Sequence, residues 1–136
     1  VFGQIEHIGI AVKDLAVAEE LYTALLGLPP YKREEVESEG VITSFFWAGT
    51  NKVELLQGTG PDSPISKFIE KKGEGIHHIA YRVENIYKEM ERLKAAGFVL
   101  LSDTPKQGAD NKLVCFLHPK STAGTLVELC MDKPAT

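Results

Sequence analysis

Four residues of this 136-residue chain could do chemistry together: His7, Glu54, His78 and Glu128. His7 stands in Gln4-Ile5-Glu6-His7-Ile8-Gly9-Ile10-Ala11-Val12, and His78 stands in the matching run Gly75-Ile76-His77-His78-Ile79-Ala80-Tyr81-Arg82-Val83. The glutamates match too, since Val53-Glu54-Leu55 corresponds to Val127-Glu128-Leu129. A single His or Glu in a strand is ordinarily a packed or hydrogen-bonded side chain. A glutamate in an apolar strand is costly unless paired, hydrogen-bonded or bound to metal, and this pattern occurs twice. Two imidazoles and two carboxylates make an N2O2 set for Co²⁺, Zn²⁺, Ni²⁺, Mn²⁺ or Fe²⁺, with one or two open positions if the ion is octahedral. The competing reading is a duplicated fold whose repeated polar residues are structural.

The elements that position these residues follow from periodicity. In the first strand Glu6, Ile8, Ile10 and Val12 share a face, leaving His7 opposite with Gly9 and Ala11; in its counterpart His78 lies with Ala80 and Arg82, and His77 points the other way as a packing or supporting residue. Each strand leads into a helical pattern, Leu15, Ala18, Leu21, Tyr22 and Leu25 in one case and Ile86, Met90, Leu93 and Ala96 in the other. Asp14 and Asn85 are placed as N-caps, and Gly27 and Gly97 can take the left-handed conformation that ends a helix. Strand candidates then run over 31–36, 41–47 and 52–57 in the first half and over 99–101, 113–117 and 125–131 in the second. Both halves therefore read βαβββ, an α+β arrangement of two tandem modules over about 1–60 and 74–136. Between them Ser63-Pro64 opens a short linker helix carrying Ile65, Phe68 and Ile69 and ending before Gly73. Halves of about 70 residues close separate cores with difficulty, so a single shared domain is expected.

Composition narrows the function. Nineteen acidic residues against fifteen basic ones give a formal charge of -4, with no basic block to follow a nucleic-acid backbone. Cys115 and Cys130 lie in apolar, strand-like stretches and read as small buried residues, with a disulfide geometrically open. No apolar run reaches the roughly 20 residues that span a bilayer. A cytoplasmic, reducing location is expected, with the start at Val1 leaving room for a leader.

These residues resemble the vicinal oxygen chelate (glyoxalase/bleomycin resistance/dioxygenase) superfamily and, within it, the methylmalonyl-CoA epimerases. The resemblance covers nearly the whole chain: residues 6–12, Asp62-Ser63-Pro64-Ile65-Ser66-Lys67-Phe68, residues 73–80, Phe116-Leu117-His118-Pro119-Lys120-Ser121, and Gly124-Thr125-Leu126-Val127-Glu128-Leu129. It implies a curved mixed sheet around a metal-containing cleft, with His7, Glu54, His78 and Glu128 at the family's metal positions. Glu54 stands where some epimerases have Gln, which changes the site's charge while keeping an oxygen ligand. Thr43 falls where some members carry a second catalytic Glu, and a neutral hydroxyl is a poor base at pH 7.

The activity implied is interconversion of the two stereoisomers of methylmalonyl-CoA through an enolate, with Glu128 as the proton-transferring carboxylate. One divalent ion is implied, Co²⁺ favoured, with Zn²⁺, Ni²⁺ or Mn²⁺ as substitutes; the partner is an acyl-CoA, and a homodimer is expected because sheets of this family often assemble through edges or helix faces. A glyoxalase I-like lactoylglutathione lyase uses similar ligands and proton chemistry. An extradiol dioxygenase fits less well, because its 2-His-1-carboxylate iron site has three protein ligands. A non-enzymatic small-molecule-binding module of the same fold would need the cleft without metal chemistry. His118, before Pro119, is left facing solvent or a ligand.

Overall fold

The caps expected from sequence form. In the computed structural model, which describes residues 1–135, the Asp14 carboxylate accepts the Val17 N–H and the Asn85 side chain accepts the Lys88 N–H. Helix α1 (Leu15–Leu26) stops at Gly27, whose φ of 80° is left-handed, and Gly97 follows helix α3 (Ile86–Ala95) with φ 95°. The remaining elements are β1 (Ile5–Ala11), β2 (Lys32–Val36), β3 (Val41–Ala48), β4 (Asn51–Gly58), α2 (Pro64–Lys72), β5 (Gly75–Arg82), β6 (Lys106–Gln107), β7 (Lys112–Leu117) and β8 (Val127–Asp132). The chain is thus α+β, with βαβββ twice in succession. Among the described residues no helix is long and apolar enough to cross a membrane.

The contacts divide into two compact units, one of residues 7–77 and one of residues 1–6 with the chain from His78 onward. The division differs from a simple halving because the N-terminal residues bond to β5: the Gly3 N–H donates to Arg82 O, and the Arg82 N–H donates to Gln4 O. The linker helix α2 belongs wholly to the first unit.

In the first unit β1 runs parallel to β4, and β4, β3 and β2 follow antiparallel to one another. One face is closed by α1, through Val12, Leu15, Ala18, Phe46 and Leu55. On the other, Ile65 of α2 packs with Ala11, Val41 and Leu56, flanked by Phe68 and Ile69, so the apolar side of α2 is covered within the chain. Ser63 caps α2 by accepting the Ile65 N–H, and the helix start lies so close to Gly58 that a Cβ there would meet Ser66 Oγ at 2.1 Å. Leu21 and Leu25, expected on the buried side of α1, are 63% and 68% exposed; with Val17 they form an outward stripe, because the sheet holds only Leu15, Ala18, Tyr22 and Leu26.

The second unit repeats the scheme: β5 is parallel to β8, and β8, β7 and β6 run antiparallel. Helix α3 closes one face through Val83, Ile86, Met90, Leu93, Cys115, Leu117 and Leu129. One expected strand shifts. Residues 99–101 meet β7 over a single antiparallel bridge, Leu100 to Leu117, flanked by the Leu101 N–H to Phe116 O and the His118 N–H to Val99 O, and a two-residue strand forms at Lys106–Gln107 against Leu113 and Val114. Val99 and Leu101 are more than half exposed, so their apolar character does not mark a buried strand. Cys115 and Cys130 are buried free thiols, and burial pushes the Cys115 thiol above its ordinary value.

Candidate metal and active site

Each glutamate occupies the same register in its own unit. Glu54 stands opposite Gly9 on the parallel side and Phe45 on the antiparallel side; Glu128 stands opposite Ala80 and Phe116. The histidine lies two residues before the small residue in both cases, so period-2 alternation puts His7 on the face of Glu54 and His78 on the face of Glu128. The pairs close accordingly: His7 Nδ1 is 3.2 Å from Glu54 Oε2, and His78 Nε2 is 3.1 Å from Glu128 Oε1. All four residues are at most 5% exposed. The Phe116 ring meets the His78 imidazole edge-on at 5.6 Å, which limits its rotation.

The four sequence candidates thus come together as two His–Glu pairs, one in each unit, meeting through Nδ1 of His7 and Nε2 of His78. Each pair offers one imidazole nitrogen and one carboxylate oxygen in a buried setting, a donor set that fits a borderline divalent ion such as Co²⁺, Zn²⁺, Ni²⁺ or Mn²⁺. Burial raises the cost of leaving such carboxylates uncompensated, so the duplicated arrangement is one that a cation relieves.

Other residues separate from this arrangement. His77 packs its ring edge against Phe68 at 5.0 Å, the supporting position expected for it. His118 Nδ1 accepts the Lys120 N–H at 3.0 Å and caps the short turn Pro119–Ser121, which assigns it a local structural task. Thr43, 1% exposed, shares the face of Phe45 and Glu54, so its hydroxyl lies on the side of the sheet that carries Glu54.

Two residues were not anticipated. Glu6, grouped by periodicity with the apolar face, is 4% exposed and lies 3.7 Å from Arg82, accepting a long contact from Cys130 Sγ at 3.9 Å. Lys52 is also only 4% exposed; it stands opposite His7 on one side and Trp47 on the other, two residues before Glu54 on the same face. Its signal was available as Lys52-Val53-Glu54, a second charge at the alternate position of an apolar strand.

The chain is similar to several known proteins. An ethylmalonyl-CoA/methylmalonyl-CoA epimerase of Cereibacter sphaeroides is 45% identical over 129 residues, covering 93% of this chain and 96% of the relative. An uncharacterized Bacillus subtilis protein, YqjC, is 40% identical over 130 residues, covering 96% and 93%. A solved variant of Streptomyces coelicolor methylmalonyl-CoA epimerase, in complex with 2-nitronate-propionyl-CoA, superposes with a TM-score of 0.93 at 32% identity, covering 98% of this chain and all of its own. The sequence model of the Glyoxalase/Bleomycin resistance protein/Dioxygenase superfamily matches residues 6–116, and the chain belongs to that superfamily, with methylmalonyl-CoA epimerases among its relatives.

Proposed function

We propose that the protein is a metal-dependent epimerase that interconverts the two stereoisomers of methylmalonyl-CoA, with His7, Glu54, His78 and Glu128 holding one divalent ion and the whole chain acting as a single domain. The observation that carries this reading is the pair of buried His–Glu contacts at 3.1–3.2 Å, duplicated in a chain 45% identical to an epimerase of this substrate class. Co²⁺ is the favoured ion, with Zn²⁺, Ni²⁺ or Mn²⁺ as substitutes.

The ion, when bound, supplies a Lewis acid for the negative charge that develops on a thioester as its α-proton leaves. The protein's residues do the rest. His7 and His78 orient the carboxylates beside them, and their burial keeps water from competing for those groups. Glu128 is the carboxylate assigned to move the C2 proton, giving an enolate that is reprotonated on the opposite face. Thr43 offers a hydroxyl where a second carboxylate base would stand, so inversion here does not use an anionic base at that position.

The enzyme is further proposed to act in the cytoplasm as a homodimer, with the outward Val17, Leu21 and Leu25 stripe of α1 supporting self-association. The test of function is a substrate comparison. Purified protein supplied with one epimer of methylmalonyl-CoA is expected to produce the other and to form little lactoylglutathione from methylglyoxal and glutathione; the reverse pattern makes it a glyoxalase.

A further inference from the structure

The face that carries His7 and Glu54 is closed at one end and open at the other. Alternation puts Ala11 on the face of His7, Leu56 on that of Glu54, and Val41, Thr43 and Phe45 beside them on β3. Ile65 of α2 packs against Ala11, Val41 and Leu56, so the helix seals that face beyond Thr43. In the opposite direction along β3 the next side chain after Phe45 is Trp47, and there burial ends: Val41, Thr43 and Phe45 are buried, whereas Trp47 is 45% exposed. Its ring is nonetheless held in place. It stacks on Tyr31 at 5.3 Å with the planes 23° apart, and the Lys52 ammonium stands 5.9 Å from its centroid. A large aromatic surface fixed by its neighbours and still open to water is unfavourable alone, and becomes favourable when an apolar group covers it.

We propose that Trp47 is the contact for the pantetheine arm of the acyl-CoA, at the point where the arm leaves the acyl end of the site. The proposal rests on the epimerase reading. A thioester held beside Glu54 cannot lead its arm toward α2, which fills that end, and the open direction along β3 runs past Trp47. Trp47 stands one strand across from Glu54 and two residues along, a backbone separation of about 8 Å. That reach selects the arm over the nucleotide, since the cysteamine and β-alanine units follow the sulfur directly and the pyrophosphate and adenosine lie beyond them. The chemistry of those units matches the ring: their methylenes pack on an aromatic surface, and their amide carbonyls accept from an indole N–H.

A series of shortened substrates reads this contact. The series is methylmalonyl-CoA, methylmalonyl-pantetheine, which lacks the nucleotide, and the S-ethyl thioester of methylmalonic acid, which ends at an ethyl group on the sulfur. Trp47→Ala is expected to raise KM roughly 5- to 30-fold for the CoA and pantetheine esters, with kcat within about twofold, and Trp47→Phe to keep most of the affinity. For the S-ethyl ester, kcat/KM is expected to stay within about twofold. An equal loss on all three substrates makes Trp47 a structural residue and overturns the proposal. So does a loss confined to the CoA ester, which would put the ring against the nucleotide, and so does no loss at all. Should Trp47→Ala fail to fold, the unsubstituted protein decides, because Trp47 is its single tryptophan. Its emission is expected to shift to the blue as propionyl-pantetheine is titrated in and to stay unchanged with S-ethyl thiopropionate; the same response to both, or to neither, overturns the proposal. The epimerase reading fails separately, if the unsubstituted protein does not invert methylmalonyl-CoA, and the emission titration needs no turnover.

Discussion

Glu54 faces Gly9 across the parallel pairing of β1 and β4, two residues along from His7, and Ala80 repeats the relationship with Glu128. A small residue beside each glutamate leaves the carboxylate room to lean toward the histidine of its own unit. A larger side chain at position 9 would project onto the face that His7 and Glu54 share. Gly9→Val is therefore expected to lower metal affinity roughly tenfold or more, the scale on which misoriented ligands act. Competition with a chromophoric chelator measures it, and unchanged affinity would show that the space beside Glu54 is not needed.

The shared ion is tested by ligand removal. Elemental analysis of protein purified without chelator should give a metal stoichiometry that falls sharply in both His7→Ala and Glu128→Ala, since each variant lacks one of the four proposed donors. Full occupancy in both variants rejects a shared site. Apo protein is expected to regain activity with Co²⁺ and poorly with Mg²⁺, which prefers an all-oxygen shell.

Acid sensitivity should trace in part to Glu19. Its carboxyl is held below the usual carboxylate range by the Arg33 guanidinium, against the opposing effect of burial, and it also accepts Ser44 Oγ–H at 2.6 Å. A carboxyl with a lowered folded-state value stabilises the fold above the unfolded value of 4.5, and that contribution is lost as pH falls through the lowered value. Glu19→Gln should therefore lower the melting temperature at pH 6–7 and narrow its difference from the unsubstituted protein toward pH 3. Melting curves that differ equally at every pH would contradict this assignment.

The seat of α2 on β4 depends on Gly58. A methyl group there would meet Ser66 Oγ at 2.1 Å and Ser63 Oγ at 2.8 Å, at the capped start of the helix. Gly58→Ala is expected to destabilise the protein by about 1–3 kcal/mol, the usual cost of overpacking, despite the better strand propensity of alanine. Urea unfolding at constant m-value reads the change; no loss of stability would show that α2 shifts freely.

Much of this was legible because the repeat constrains itself. Asp14 and Asn85 cap, Gly27 and Gly97 turn left-handed, and each His meets its Glu, all consequences of short-range periodicity applied twice. The strand expected at 99–101 had less support: Val99 and Leu101 are apolar yet more than half exposed, and the pairing with β7 amounts to one bridge, Leu100 to Leu117, and its flanking hydrogen bonds. Leu21 and Leu25 misled in the same way, since helical spacing says which residues share a stripe but not whether a sheet lies beneath it. Lys52 and Glu6 were overlooked because a charged residue in a strand ordinarily reads as solvent-facing, and only the register of both neighbouring strands shows where Lys52 is buried.

The most direct test of the account is the fate of the C2 hydrogen. One epimer of methylmalonyl-CoA incubated in D₂O with the metal-loaded protein should give the opposite epimer carrying deuterium at C2, because inversion breaks and remakes that bond through an exchangeable carboxyl. Glu128→Gln should reduce the rate by two to four orders of magnitude, on the scale of general acid–base catalysis, with the fold retained. Mass spectrometry with chiral resolution of the acyl group reads both isotope and configuration. Absence of inversion and of deuterium from the unsubstituted protein, with lactoylglutathione formed efficiently from methylglyoxal and glutathione, would contradict the central claim.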